Sequence, residues 1–185
     1  EYQQDHLDIN IDFFGREACA PGYSFGPSVR ENYVIHYILS GKGQLNIDNF
    51  TIELESGNVF ILPKDIITFY QADTTDPWDY IWVGLSGTKI ESYLKRSSLM
   101  EDFKINNVSE SSFIKCFIEL QVLSDNTYDQ NIDLLMDSKI YQMLYYLVKE
   151  FPSRQLKPPT PQEQYFNQAI RYMYHHFSKN ITIRD

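Results

Sequence analysis

The chain has 185 residues and a net charge of −9, with 43% hydrophobic and 15% aromatic residues, 14 Tyr and 12 Phe among them. That much apolar surface offsets the entropy of folding and excludes a disordered tail. The acidic balance repels phosphate backbones and excludes a part that holds nucleic acid by its own charge.

Cys19 and Cys116 make neither a CxxC metal pair nor the disulfide framework of a small secreted domain, and two reduced, buried thiols are expected. No apolar run reaches the roughly 18 residues of a membrane-spanning helix. Glu1-Tyr-Gln-Gln-Asp-His lacks the basic and apolar regions of a signal peptide, so a cytoplasmic location without a membrane partner is expected.

All eight glycines fall in the first 87 residues, and a change of architecture is expected at Gly87. Before it, six short runs predict strands: Tyr33-Val-Ile-His-Tyr-Ile-Leu, Gln44-Leu-Asn-Ile, Phe50-Thr-Ile-Glu-Leu, Asn58-Val-Phe-Ile-Leu, Thr68-Phe-Tyr-Gln-Ala and Trp78-Asp-Tyr-Ile-Trp-Val. Their close spacing suits a barrel or sandwich. Asp48-Asn49 tolerates the positive φ of a tight hairpin. Gly41, Gly43 and Gly57 are read as hairpin bends, and Pro63 as a strand end where no ladder donor is needed.

After Gly87 the apolar period becomes helical, first at Ile90, Tyr93 and Leu94, then at Phe113, Phe117 and Leu120. A long stripe follows, Ile132, Met136, Ile140, Met143, Leu144, Leu147 and Phe151, closed by Pro152. It is longer than one barrel flank needs, so Ile140, Met143, Leu144 and Leu147 are expected to meet a second chain; the alternative is packing within one chain. Lys157-Pro-Pro-Thr-Pro reads as a stiff linker, and Thr160-Pro161-Gln162-Glu163 as a capping box. Phe166, Ile170, Met173 and Phe177 keep helical spacing up to Asn180, a candidate left-handed cap. One amphipathic helix cannot bury both its sides, so Pro161–Asp185 is expected to be the start of a further, truncated domain.

Three stretches in order, Tyr33-Val-Ile-His-Tyr-Ile-Leu-Ser-Gly41-Lys-Gly43, Glu55-Ser-Gly57-Asn-Val-Phe-Ile-Leu-Pro63 and Asp76-Pro-Trp-Asp-Tyr-Ile-Trp82, resemble the N-terminal cupin-like domain of the AraC family of bacterial transcription regulators. Residues 165–185 resemble the opening helix of that family's paired helix-turn-helix domain. The resemblance implies a mainly β fold, a cupin-like jelly-roll barrel over 1–87 followed by α-helices, with a helical dimerisation region over 88–156 and a linker and truncated helix over 157–185. It implies a ligand-sensing homodimer that controls carbohydrate genes in response to a small-molecule effector, a sugar, and reaches DNA only through a C-terminal domain missing from this chain.

Alternate residues of a strand share a face, which groups Arg30, Val34 and His36, Thr68 with Tyr70, and Tyr80 with Trp82. The resemblance implies that Tyr70, Tyr80 and Trp82 line the pocket, since they match sugar-lining positions of the arabinose-binding member. That member has His where this chain has Tyr80, which points to a different ligand. Rings with hydroxyl and indole donors suit a sugar, whose C–H faces pack on them; the alternative is that Tyr80 and Trp82 fill a closed core. Arg30 and His36 offer charged or ionisable contacts, Glu17 can turn inward, and His36 also fits a core histidine.

Metal-dependent cupin enzymes need several His and a carboxylate around one ion. Only His36 lies in the predicted strands, with His6, His175 and His176 outside them. No nucleophile elbow, phosphate loop or redox CxxC is present. No metal, cofactor, catalytic residue or enzyme is therefore expected, and the alternatives are a cupin enzyme such as a sugar isomerase, or a ligand-free dimerisation barrel.

Overall fold

The computed structural model describes residues 8–124, 130–155 and 161–176. Eight strands come first: β1 (Asn10–Ala18), β2 (Ser24–Ser28), β3 (Tyr33–Ser40), β4 (Lys42–Ile47), β5 (Phe50–Glu55), β6 (Val59–Leu62), β7 (Thr68–Ala72) and β8 (Asp79–Ser86). They pair in nested antiparallel fashion, β1 with β8, β2 with β7, β3 with β6 and β4 with β5. That nesting defines a jelly roll, as expected. It lays the strands into one sheet of order β1-β8-β3-β6 and a facing sheet of order β2-β7-β4-β5, the first extended by the two-residue β9 (Lys104–Ile105).

The helices are α1 (Ile90–Leu94), α2 (Leu99–Asp102), α3 (Ser112–Ser124) and α4 (Ile132–Glu150). The chain divides between Arg154 and Gln155 into two compact units, and α5 (Pro161–His176) lies in the second. Among the described residues no helix is long and apolar enough to cross a membrane.

β3 and β8 are covered on both faces, which is why their sequences run almost continuously apolar. One face of the five-stranded sheet packs on the helices through Tyr33, Ile35, Tyr37, Val59, Ile61, Ile81, Val83 and Leu85. The other closes on the second sheet around Val34, Ile38, Phe60, Tyr70, Trp78 and Tyr80. A bulge between Ile11 and Phe13 switches β1 from one core to the other: Ile11 opposite Leu85 packs with the helix side, and Phe13 opposite Gly84 packs inside. Asp12 at the bulge accepts hydrogen bonds from Asn32 and from the Ser86 hydroxyl, each at 2.8 Å.

Asp48 has φ 50° between β4 and β5, and Gly41 and Gly57 have φ 74° and 81°, as their turn positions require. Gly43 differs from its expected role. It lies inside β4, where a Cβ would stand 2.5 Å from the Trp78 ring and from the Gln71 carbonyl oxygen, so it provides room rather than a bend.

Helix α3 begins with a double cap. Ser111 Oγ accepts the Ile114 N–H at 3.1 Å, while the Glu150 carboxylate accepts the Ser112 and Phe113 N–H groups at 3.1 Å each. Because Glu150 ends α4, this fixes α3 and α4 as antiparallel neighbours. Both cysteines are free and buried. The linker prolines before Pro161, the Thr160 half of the capping box, Phe177, Asn180 and His6 lie outside the described residues.

Candidate ligand-binding site

Register, more than sequence distance, assembles the site. Across the inner face of the five-stranded sheet, Gly15 faces Trp82, Trp82 faces His36, and His36 faces Phe60. One step along, Glu17 faces Tyr80 and Tyr80 faces Ile38. Directly opposed residues point the same way, so Glu17, His36, Tyr80 and Trp82 share the barrel interior. Tyr70 closes the group from the facing sheet, opposite Phe25 and Leu45.

The rings form a cage. His36 stacks on Phe60 with centroids 4.4 Å apart and planes 6° apart. Tyr80 meets His36 edge-on at 5.2 Å and Trp82 at 5.5 Å, and Tyr70 is 5.8 Å from His36. Phe60 also stacks on Trp78 at 5.7 Å. Tyr80 and His36 are buried, whereas Trp82, Glu17 and Arg30 keep partial access to solvent, so these three mark the rim. The Arg30 guanidinium lies 4.7 Å over the Phe25 ring, which stacks on Tyr70 at 5.7 Å.

Polar capacity remains unspent inside this cage. The Tyr80 hydroxyl donates to the Tyr70 hydroxyl at 3.5 Å, far longer than a strong O–H···O bond. His36 Nδ1 and Arg30 Nε are buried with no hydrogen-bond partner, an uncommon condition for buried polar atoms. Burial and the Arg30 charge lower the His36 pKa from 6.5 to about 3, outweighing the upward pull of the Val34 backbone. The imidazole is therefore neutral. Burial raises the Tyr80 and Tyr70 hydroxyls above their ordinary values, and burial together with the Glu17 charge raises Tyr23. All three are neutral donors at pH 7.

The residues expected to meet a second chain are elsewhere and inside. Ile140, Met143, Leu144 and Leu147 are between 0 and 4% exposed, packed with Phe113, Phe117 and Leu120 of α3 and with the outer face of the sheet. This corrects the assignment of those four to an interface: the apolar stripe of α4 found its partner surface within the same chain. On α4 it is Leu134, Leu135, Tyr141 and Tyr145 that stand exposed.

Residues 10–155 match the AraC-like ligand binding domain family. The chain belongs to that family. Over 186 aligned residues this AraC-type domain is 38% identical to the Msm operon regulatory protein of Streptococcus mutans, covering 100% of the chain and 67% of that protein. It is 36% identical to the raffinose operon transcriptional regulatory protein RafR of Pediococcus pentosaceus, covering 97% of the chain and 66% of RafR. With the lactose operon transcription activator of Staphylococcus xylosus the identity is 26%, over 100% of the chain and 67% of the activator. The chain thus spans about two thirds of the length of these relatives. Among solved structures, a cupin protein from Bacteroides fragilis is similar at 24% identity and a TM-score of 0.34, covering 42% of this chain and 65% of that one.

In this AraC-type domain the structure brings Trp82, Tyr80, Tyr70 and His36 together and sets Arg30 and Glu17 at their edge. Sequence reasoning did not pick out Phe60, Trp78, Phe13 or Tyr23, which complete the interior. Trp78 had a signal, since the alternation of Tyr80 and Trp82 extends back to it. Phe60 had none, because β6 is buried on both faces.

Proposed function

We propose that the chain is the effector-sensing and dimerisation part of a cytoplasmic, non-enzymatic transcription regulator whose effector is a small neutral or weakly acidic carbohydrate held in the barrel. The observation behind this reading is the cage itself: Trp82, Tyr80 and Tyr70 offer ring faces and hydroxyl donors to a sugar, neutral His36 offers a further donor or acceptor, and Arg30 and Glu17 orient polar groups at the rim. The relatives named for raffinose and lactose operons favour an oligosaccharide or one of its sugar units.

DNA contact belongs to a helix-turn-helix domain of which residues 161–185 are the beginning, and the net charge of −9 keeps this chain alone off operator DNA. A homodimer would carry two such domains to paired half-sites. Its contact surface is drawn from the exposed side of α4, Leu134, Tyr141 and Tyr145, within the 88–156 region.

The testing experiment is a thermal-shift panel of raffinose, lactose, galactose, glucose and arabinose, followed by calorimetry of any hit with the unsubstituted chain and with Trp82→Ala. Binding that weakens by about tenfold or more in Trp82→Ala is expected. Unchanged affinity removes the cage as the site.

A further inference from the structure

Two glycines of the inner face lie in mid-strand and opposite an aromatic ring. Gly15 of β1 pairs with Trp82 of β8, and Gly84 of β8 pairs with Phe13 of β1. A Cβ built on Gly15 would stand 1.9 Å from Trp82 Cζ2, 2.3 Å from Cε2 and 2.6 Å from Cη2, all atoms of the indole's six-membered ring. A Cβ on Gly84 would stand 2.3 Å from Phe13 Cζ. Neither position needs the left-handed backbone that explains Gly41 and Gly57. Each gives up a side chain so that the facing ring can lie flat across the ladder.

The consequence differs between the two rings. Both rings keep partial access to solvent, but Trp82 is the one in ring contact with the cage, with Tyr80 at 5.5 Å and His36 at 6.1 Å. A methyl group on residue 15 would leave the indole two ways to move. Inward, it would press on Tyr80 and His36; outward, it would leave the cage without its rim face. Either movement alters the partly exposed ring surface on which a pyranose would rest.

We propose that Gly15 is a positioning residue of the carbohydrate site: it sets the tilt of Trp82 and thereby the aromatic surface offered at the rim. The inference rests on the sugar reading given above. Gly15 makes no contact of its own with the ligand and acts through the ring laid over it.

The test uses the chain with 5-fluorotryptophan at its two tryptophans, the Trp82 resonance being assigned by its loss in Trp82→Phe. Gly15→Ala is expected to shift the Trp82 signal while leaving that of Trp78 in place, and to weaken raffinose or lactose binding by about tenfold or more. In the double variant Gly15→Ala/Trp82→Phe the added methyl is expected to cost no further affinity beyond Trp82→Phe alone, since the ring it displaces is gone. An unmoved Trp82 resonance overturns the proposal, and so does a moved resonance with full affinity. If Gly15→Ala does not fold, recovery of folding in the double variant supports the proposal, and failure to recover overturns it by placing the clash on backbone. If the unsubstituted chain binds neither sugar, the sugar reading fails and takes this inference with it, a result distinct from equal binding by the unsubstituted chain and Gly15→Ala.

Discussion

On its outer side the five-stranded sheet presents Ile35, Val59, Ile61, Ile81, Val83 and Leu85 to Phe113, Phe117, Met143 and Leu147 of the helices. On its inner side the same strands present His36, Phe60, Tyr80 and Trp82, with Glu17 from β1. The outer contact is built largely from aliphatic side chains whose volumes interlock and which have no polar atoms to satisfy. The inner one uses rings with polar tips, leaves His36 Nδ1 and Arg30 Nε unpartnered, and places a hydroxyl pair at 3.5 Å. Burial of unpartnered polar groups costs stability. On the reading proposed above, one sheet separates the two demands, with stability on the helix side and recognition on the barrel side.

The largest effect should come from cutting into the helix side. Phe117 is 1% exposed, and Phe117→Ala is expected to cost about 3–5 kcal/mol in urea unfolding, with about 2–5 kcal/mol for Leu147→Ala. Trp82→Ala, at a partly exposed rim position, should cost clearly less while reducing ligand-induced stabilisation. Equal losses of stability from Phe117→Ala and Trp82→Ala would erase the division between the two faces.

Within the window between about pH 6 and 5, a smaller effect should separate the faces by pH. The folded chain holds His36 neutral down to about 3, whereas an ordinary histidine takes up a proton near 6.5. Between these values the unfolded state binds more protons than the folded one, so stability falls on acidification and the loss is complete by about pH 3. The slope for this one group approaches about 1.4 kcal/mol per pH unit once the unfolded histidine is mostly protonated. His36→Gln should flatten the curve between about pH 6 and 5, a window above the range where depressed carboxylates begin to titrate. An unchanged slope would mean that the inner face is not the acid-sensitive one.

The outer face was the more legible in sequence. The helical periods at Phe113, Phe117 and Leu120 and at Ile132 through Leu147 correspond to α3 and α4. Their partner was misjudged because a period tells which side of a helix is apolar, not whether the covering surface belongs to the same chain. β3 through β8 were readable from their apolar runs and turn residues. β1 was not, and the reason lies in the site: its inward positions are Phe13, Gly15 and Glu17, where a glycine under an indole and a carboxylate at the rim break the alternation that marks a strand. β2 is short and mostly exposed, so it carries no pattern. The inward residues proposed to serve recognition are the ones that hid the strand bearing them.

The smallest expected effect concerns the charged device on the helix side. Glu150 accepts the Ser112 and Phe113 N–H groups and so supplies at the start of α3 what the helix cannot supply to itself. Burial pushes the Glu150 carboxyl upward, but the N–H donors of Phe113 and Ser112 more than compensate, and its pKa falls below the ordinary value of 4.5. A carboxylate depressed in this way contributes stability that is present above the unfolded pKa and is lost as pH falls through the folded one. Glu150→Gln keeps the shape and one acceptor oxygen while removing the charge, and is expected to cost about 0.5–1 kcal/mol at pH 7. The difference from the unsubstituted chain should shrink as the pH is lowered below about 4.5, where Glu150 of the unfolded chain begins to take up its proton while the folded one still holds it off. Ligand affinity should not change, because Glu150 lies on the helix side of the sheet. Parallel urea titrations at pH 7 and pH 4 with both chains measure the first point, and calorimetry with the sugar found to bind measures the second. A Glu150→Gln chain that keeps its stability but loses affinity would show that the helix layer takes part in recognition.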